Sequence, residues 1–259
     1  MEVGLIQLST VQQAEDYYLD KSASGWEREV FRGFCGDLLD DELVFPCVLG
    51  VHGLKMGELE FCFVPHHDRH NLTHLASRLT HYVQSSRTYG RNTSFVAFFQ
   101  PDEQTKNLAE YEEEFWNVLQ RLHTIDESEW PKEVDVHPSE PLWEFSYAGE
   151  PLFVVCNTPA HVKRKSRSAK TFMLTFQPRW VFDDIDGTTK RGRHIQSLVR
   201  HHLENYDETL PHPDLKWYGE PGGREWKQYF LGEDNREQKS KCPFHYKGGS
   251  VNENSYGSR

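Results

Sequence analysis

Apolar residues recur at helical spacing in four segments of the chain, and this pattern constrains the fold more than any other feature. The four segments are residues 26–39, 71–86, 108–125 and 193–206. Between them lie short runs rich in β-branched and aromatic residues, which are typical of strands; they occupy 45–51, 59–64, 93–99, 142–147, 151–156, 172–176 and 180–182. These runs mostly follow one another and are separated by single helices. The sequence therefore predicts an α+β fold, with a mostly antiparallel sheet flanked by three or more amphipathic helices.

Three local features are expected within this pattern. The run at 45–51 should form a strand and pair as a hairpin with the run at 59–64. Asn71 should cap the helix that follows it. The run at 180–182 should be a further strand.

Composition divides the chain into three parts. Residues 1–25 are polar and weakly patterned, and we interpret them as an N-terminal arm. Residues 26–245 are expected to form a single domain, because 13% of the chain is aromatic and disordered chains are poor in aromatic residues. Residues 246–259 are rich in Gly, Ser and Asn, which predicts a disordered tail.

Charge and apolar content disfavour two classes of partner. The chain has 29 Lys and Arg against 40 Asp and Glu, a net charge of −11, whereas nucleic-acid binding needs clustered cations. No apolar run approaches the roughly 20 residues of a membrane span, and the N-terminal residues lack a secretory pattern. The five cysteines are odd in number. We therefore expect a cytoplasmic protein with reduced thiols and no membrane partner.

A basic turn after the predicted strand at 151–156 is the most informative single motif. Pro159 precedes His161, and four cations follow at Lys163, Arg164, Lys165 and Arg167. An imidazole can bind haem iron, and neighbouring cations can neutralise the two propionates. The motif is also compatible with an ordinary histidine in a basic turn, or with a site for another anion.

Several short motifs, taken in order, resemble the YqcI/YcgG family from about residue 26 to 245. They are Phe45-Pro46-Cys47, Asn157-Thr158-Pro159-Ala160-His161, Gln177-Pro178-Arg179-Trp180-Val181-Phe182, Arg224-Glu225-Trp226-Lys227-Gln228-Tyr229-Phe230-Leu231 and Cys242-Pro243-Phe244. Members of that family include haem-dependent N-hydroxylases of guanidine compounds. The resemblance implies haem b as cofactor, dioxygen and two electrons from an unidentified donor, and an amine or guanidine substrate such as an arginine-like amino acid. It leaves a homodimer open.

His161 is the preferred axial ligand under this resemblance, and Arg164 and Arg167 would face the propionates. Cys47 is the rival ligand, since a thiolate favours O–O cleavage. It lies in an apolar run with no cation nearby in sequence, so a small buried hydrophobic residue is the simpler interpretation.

A cationic substrate needs carboxylates and aromatic faces near the iron. The candidates are Glu144, Glu60 and Glu225, the last next to Trp226, because a carboxylate in an apolar strand is costly to bury without a partner. An internal ion pair with Arg179 or Arg224 is the alternative for these carboxylates, and packing into the core is the alternative for Trp226.

Two further functions remain open at this level. One is a non-catalytic haem protein, such as a carrier or sensor. The other is a non-haem protein whose basic turn after His161 binds an anionic ligand.

Overall fold

The structure, a computed structural model, describes residues 6–236 and 241–247 and confirms the α+β class. The helices in these residues are α1 (Val11–Tyr18), α2 (Gly25–Leu38), α3 (Val48–Lys55), α4 (Thr73–Tyr89), α5 (Leu108–Ile125), α6 (Lys190–Tyr206) and α7 (Trp226–Tyr229). The strands are β1 (Leu59–Val64), β2 (Ser94–Phe99), β3 (Ser146–Tyr147), β4 (Glu150–Asn157) and β5 (Met173–Pro178). Two short 3₁₀ turns cover Lys165–Arg167 and Arg179–Phe182.

The described strands form one sheet in the order β1-β2-β5-β4-β3. Only the β1–β2 pairing in this sheet is parallel; β2–β5, β5–β4 and β4–β3 are antiparallel. The predicted mostly antiparallel sheet is therefore confirmed. The hairpin between β3 and β4 turns at Ala148 and Gly149, both in the left-handed backbone region.

One face of the sheet carries the larger hydrophobic core. Alternate strand residues such as Phe95, Phe99 and Phe176 pack there against α4 and α5. Tyr229 of α7 and Phe244 join the same core, so the C-terminal region is part of the folded domain.

The opposite face is covered in two different ways. Over β1 and β2, helices α1, α2 and α3 build a second core, in which the ring centroids of Phe31 and Phe61 are 5.0 Å apart. Over β4 and β5, α6 and the segment 215–218 enclose a cavity between themselves and the sheet. The fold therefore leaves part of one sheet face available to a ligand.

The prediction of a strand at 45–51 is wrong, and so is its hairpin with β1. Val48 begins α3 instead, and β1 pairs in parallel with β2. A short apolar run does not distinguish a strand from a buried helix by periodicity. A Cβ at Gly53 would lie 2.3 Å from the carbonyl oxygen of Asn92, so this glycine lets α3 pack closely against the start of β2.

Two other local predictions are corrected. The residues at 180–182 lie in a 3₁₀ turn directly after β5 rather than in a strand. Helix α4 begins at Thr73, after Leu72 in the left-handed region, and its N-terminal amides are capped by Asp68 rather than by Asn71. The Asp68 carboxylate accepts hydrogen bonds from the backbone N–H groups of His74 and Leu75.

The described part of the predicted N-terminal arm contains α1, which starts with a capping box at Thr10 and Gln13. Buried Glu15 of α1 forms ion pairs with Arg28 and Arg32 of α2. The predicted tail at 246–259 lies outside the described residues, apart from Tyr246 and Lys247. None of the described helices has the length and apolar character needed to cross a lipid bilayer.

Candidate active-site cavity

A cavity of about 570 Å³ lies on the free face of the sheet. Its floor is formed by alternate residues of three strands: Ser94, Val96 and Phe98 of β2, Phe153, Val155 and Asn157 of β4, and Met173, Thr175 and Gln177 of β5. Its other walls come from α2, α3, α6 and the segment 215–218. Ligand pockets in proteins typically have volumes of roughly 300–1,000 Å³, so this cavity can hold a cofactor or small molecule.

The floor of the cavity is largely apolar, and other parts of the protein cover it incompletely. Val155 and Thr175 lie in the interior of the sheet, yet both remain only half-buried because they face the cavity. Phe153, also half-buried, makes edge contacts with Phe182 and Tyr229 on one side. Apolar surface left open in this way favours a ligand with a large apolar face.

Cys47 lies at the wall of this cavity, as the N-cap of α3. Its Sγ accepts a hydrogen bond from the backbone N–H of Gly50 at 3.4 Å. The thiol is surrounded by protein atoms but accessible through the cavity. Burial raises the pKa of Cys47, while the Gly50 N–H and the charge of Arg167 act in the opposite direction.

This placement corrects the sequence analysis on two points. A cation does lie in the same part of the fold as Cys47, since Arg167 of the basic turn lines the same cavity and its charge acts to lower the pKa of the thiol. Cys47 is also exposed to the cavity, not a buried hydrophobic residue. Neither point could be predicted from the sequence, because Cys47 and Arg167 are 120 positions apart along the chain.

His161 occupies a different kind of position. Its ring is 3% exposed and it does not line the cavity. Nε2 lies 2.8 Å from the carbonyl oxygen of Leu231, and Nδ1 lies 2.9 Å from the hydroxyl of Thr158. The carbonyl can only accept, so Nε2 carries the proton and Nδ1 accepts from the hydroxyl. Burial lowers the pKa of His161 to about 4, so the ring is neutral.

The arrangement around His161 does not fit an axial haem ligand. Iron would need an imidazole nitrogen with a free lone pair, and both nitrogens are engaged. The structure instead matches the alternative of an ordinary histidine in a basic turn. Its two hydrogen bonds join the end of β4 to the segment that follows α7.

The two arginines of the basic turn hold α7 and the segment that follows it. Arg164 donates to the carbonyl of Gly232 and to the side chain of Asn235. Arg167 donates to the carbonyl oxygens of Gln228 and Tyr229. Both guanidinium side chains also line the cavity, so each supplies positive charge to its wall. Burial lowers the pKa of Arg167 to about 10, which leaves it charged at neutral pH.

A second charged cluster forms where β5 meets the following 3₁₀ turn. Arg179 donates from Nε and Nη2 to both oxygens of Glu144, and from Nη2 to Glu225 at 2.8 Å. Its guanidinium carbon lies 3.9 Å from the ring centroid of Tyr218. Arg179, Glu225 and Tyr218 line the cavity, whereas Glu144 is fully buried behind them. This cluster is the internal ion pair that the sequence left open.

Burial raises the pKa of both carboxyl groups in this cluster. For Glu144 the value reaches about 8, with burial as the largest cause, Arg179 opposing it and Glu225 reinforcing it. For Glu225 burial raises the pKa and Arg179 opposes it. Two carboxyl groups thus share one guanidinium, and the pair binds a proton more readily than isolated carboxylates do.

Two predicted substrate residues lie away from the cavity. Glu60 of β1 forms an ion pair with Arg78 of α4. Trp226 is 6% exposed and packs into the larger core, with its ring centroid 6.2 Å from that of Trp116. The structure therefore brings Glu225 to the cavity, but not Glu60 or Trp226.

Gln177 is a polar residue of the cavity floor that was not predicted as a site residue. Gln177 lies on β5, two positions after Thr175, and is 6% exposed. Its Nε2 has no hydrogen-bond partner among the described residues. The signal in the sequence was a polar residue at an inward position of an apolar strand, which is costly unless something pairs with it.

The described residues contain no group of three or more His, Cys, Asp and Glu arranged to hold a metal ion.

Comparison with known proteins relates the sequence of this chain to a family. The model of the YqcI/YcgG family matches residues 36–245. Two Bacillus subtilis (strain 168) proteins described as uncharacterized are similar: YcgG is 43% identical, covering 85% of this chain and 88% of its own, and YqcI is 40% identical, covering 87% and 90%.

A third relative carries a functional name. DcsA of Streptomyces lavendulae, named as a candidate N(omega)-hydroxy-L-arginine synthase, is 36% identical over 87% of this chain and 86% of its own. No solved structure matches the chain significantly. The extent of the family match and the identity to these relatives show that the chain belongs to the YqcI/YcgG family.

Proposed function

We propose that this protein is a haem-dependent monooxygenase that N-hydroxylates a guanidino or amino group of a small molecule, such as an arginine-like amino acid. The observation that carries the proposal is the cavity, which has a largely apolar sheet surface as its floor and both Cys47 and Arg167 in its walls. The name of DcsA supports the reaction and the substrate class.

The residues of the cavity fit haem b in three respects. The half-covered floor offers an apolar face to a flat macrocycle. Cys47 offers a thiol at the cavity wall: burial raises its pKa, the Gly50 N–H and the charge of Arg167 act in the opposite direction, and a thiolate bound to iron favours O–O cleavage. Arg164, Arg167 and Lys170 at the wall can neutralise propionates. Cys47 therefore replaces His161 as the proposed ligand.

When bound, haem would supply the activation of dioxygen. Overall, one oxygen atom would enter the substrate and convert N–H to N–O–H. The other would leave as water, with two protons and with two electrons from an unidentified donor.

The protein's own residues bind and orient the substrate. Glu225, at the wall, supplies negative charge for a cationic substrate, and Tyr218 supplies an aromatic face. Apolar residues of α6, including Ile195, Val199 and Leu203, close the opposite wall and exclude water.

The test is an absorption spectrum of protein expressed with a haem precursor. Wild type should show a Soret band. Cys47→Ser should lose the band or shift it, because serine keeps the N-cap hydrogen bond of α3 but supplies no thiolate. Cys242 has a thiol outside the cavity wall, so Cys242→Ser is the matched control and should leave the band unchanged.

Activity is tested on the same samples. Reduced wild-type protein supplied with oxygen and L-arginine should form a product heavier by one oxygen atom. A Soret band without any product would favour a haem carrier or sensor. Absence of the band in wild type, even with added precursor, would refute haem binding and favour the anion-binding alternative. A band unchanged in Cys47→Ser would refute Cys47 as the ligand.

A further inference from the structure

The two ends of the cavity floor differ in chemistry. At one end, Asn157 pairs with Met173, next to the turn that carries Arg167. At the other end, Gln177 pairs with Phe153, next to Arg179. Gln177 lies four residue steps after Met173 along the strand, a distance of about 13 Å at 3.3 Å per residue. Arg167 and the Gln177–Arg179 group therefore lie next to opposite ends of the floor.

The Gln177 end holds hydrogen-bond donors without acceptors. Gln177 lines the cavity, and its amide Nε2 is buried and has no partner among the described residues. The hydrogen bonds of Arg179 to described residues use Nε and Nη2, and none uses Nη1. An unpaired buried donor is unfavourable, so a ligand that supplies an acceptor to this position gains affinity.

The same end also holds more carboxyl groups than cationic groups. Glu144 and Glu225 share the single guanidinium of Arg179, and Glu225 is the member that lines the cavity. Its second oxygen accepts from Nε2 of Gln228 at 3.1 Å. A cation from a ligand can compensate the charge that Arg179 leaves unbalanced.

We propose that Gln177, Arg179 and Glu225 form a subsite for the head group of a free α-amino acid. Gln177 Nε2 and Arg179 Nη1 bind the α-carboxylate, and Glu225 binds the α-ammonium. The side chain of the ligand then extends along the floor away from Gln177, so a long side chain is selected. This inference rests on the proposed function for the reaction, but its binding step is testable without turnover.

The experiment is calorimetric titration of the purified protein with three ligands. L-Arginine has the complete head group, agmatine lacks the carboxylate, and 5-guanidinopentanoate lacks the amino group. Wild type should bind L-arginine at least about tenfold more tightly than either analogue, as expected for loss of one charge-assisted hydrogen bond.

Two variants assign the contacts. Gln177→Met should weaken L-arginine about tenfold and leave agmatine unchanged, because only L-arginine presents a carboxylate. This variant breaks no side-chain hydrogen bond from Nε2 to a described residue, so its fold should be retained. Glu225→Gln should remove the preference for L-arginine over 5-guanidinopentanoate. There are two matched controls, and both should bind as wild type does. Gln12→Met changes an exposed position of α1, and Glu60→Gln changes a residue outside the cavity.

The outcomes separate this inference from the cofactor proposal, since the Soret band is recorded on the same samples. Equal binding of agmatine and L-arginine, unchanged L-arginine binding in Gln177→Met, or no L-arginine binding at all would overturn the subsite. Discrimination of the head group by a protein without a Soret band would uphold the subsite and refute haem.

Discussion

The Nε2–H group of His161 donates to the carbonyl oxygen of Leu231 at 2.8 Å, across 70 positions of the chain. With the bond between Nδ1 and Thr158, it fastens the segment after α7 to the end of β4. Arg167 holds the end of α7 itself by donating to the carbonyl oxygens of Gln228 and Tyr229. The basic turn therefore holds the C-terminal region in place, and its histidine has a structural role.

His161→Ala should lower the free energy of unfolding by about 2–4 kcal/mol, because two buried hydrogen bonds are lost and a cavity replaces the ring. Urea denaturation measures this change. The Soret band should survive, since the proposed ligand is Cys47. His67→Ala, at an exposed position after β1, should leave stability unchanged. A stable variant that has lost its Soret band would instead restore His161 as the ligand.

Stability should fall in mild acid for a related reason. Burial lowers the pKa of His161 and of His123 from 6.5 to about 4 in the folded protein. Between pH 6.5 and 4 the unfolded chain binds protons that the folded chain does not, so stability decreases as the pH falls. Each histidine can contribute up to about 3 kcal/mol over this window, at 1.36 kcal/mol per pKa unit. His161→Gln should show a shallower decrease in denaturation experiments from pH 7 to 4, and an unaltered slope would contradict this assignment.

The sequence predicted the fold class because its long helices and most strands have clear periodicity. It failed at 45–51, where Cys47, inside a short apolar run, is the N-cap of a helix that begins at Val48. It also favoured His161 over Cys47 because the nearby cations follow His161 in the chain. The proximity of Arg167 to Cys47 arises only after folding. Likewise, β5 alone cannot reveal that Gln177, Arg179 and Glu225 share one end of a cavity.

The ion-pair cluster predicts a strong dependence of stability on Arg179. Arg179→Met should lower the free energy of unfolding by about 3–5 kcal/mol, because two buried carboxyl groups lose their only described cationic partner. Adding Glu144→Gln and Glu225→Gln to Arg179→Met should recover most of this loss, since no buried charge is left uncompensated. Chemical denaturation of the single and triple variants measures both effects. A triple variant as unstable as Arg179→Met alone would show that packing on Tyr218, not charge, dominates.

L-Arginine binding should depend on pH through the same cluster. Burial raises the pKa of Glu144 to about 8 and also raises that of Glu225, against the opposing effect of Arg179, so the pair retains a proton at neutral pH. An ammonium group favours the deprotonated pair and must displace that proton. Affinity should therefore increase from pH 6 to 8, by at most about tenfold per unit, with protons released on binding.

Calorimetry in buffers of different ionisation enthalpy measures the number of protons released. Glu225→Gln should abolish most of this release, because only one of the two coupled carboxyl groups remains and Arg179 stabilises its charged form. Gln177→Met should bind more weakly but keep the pH dependence, since Gln177 does not titrate. Affinity that is constant or decreases between pH 6 and 8 would show that the ligand's cation does not bind beside Glu225.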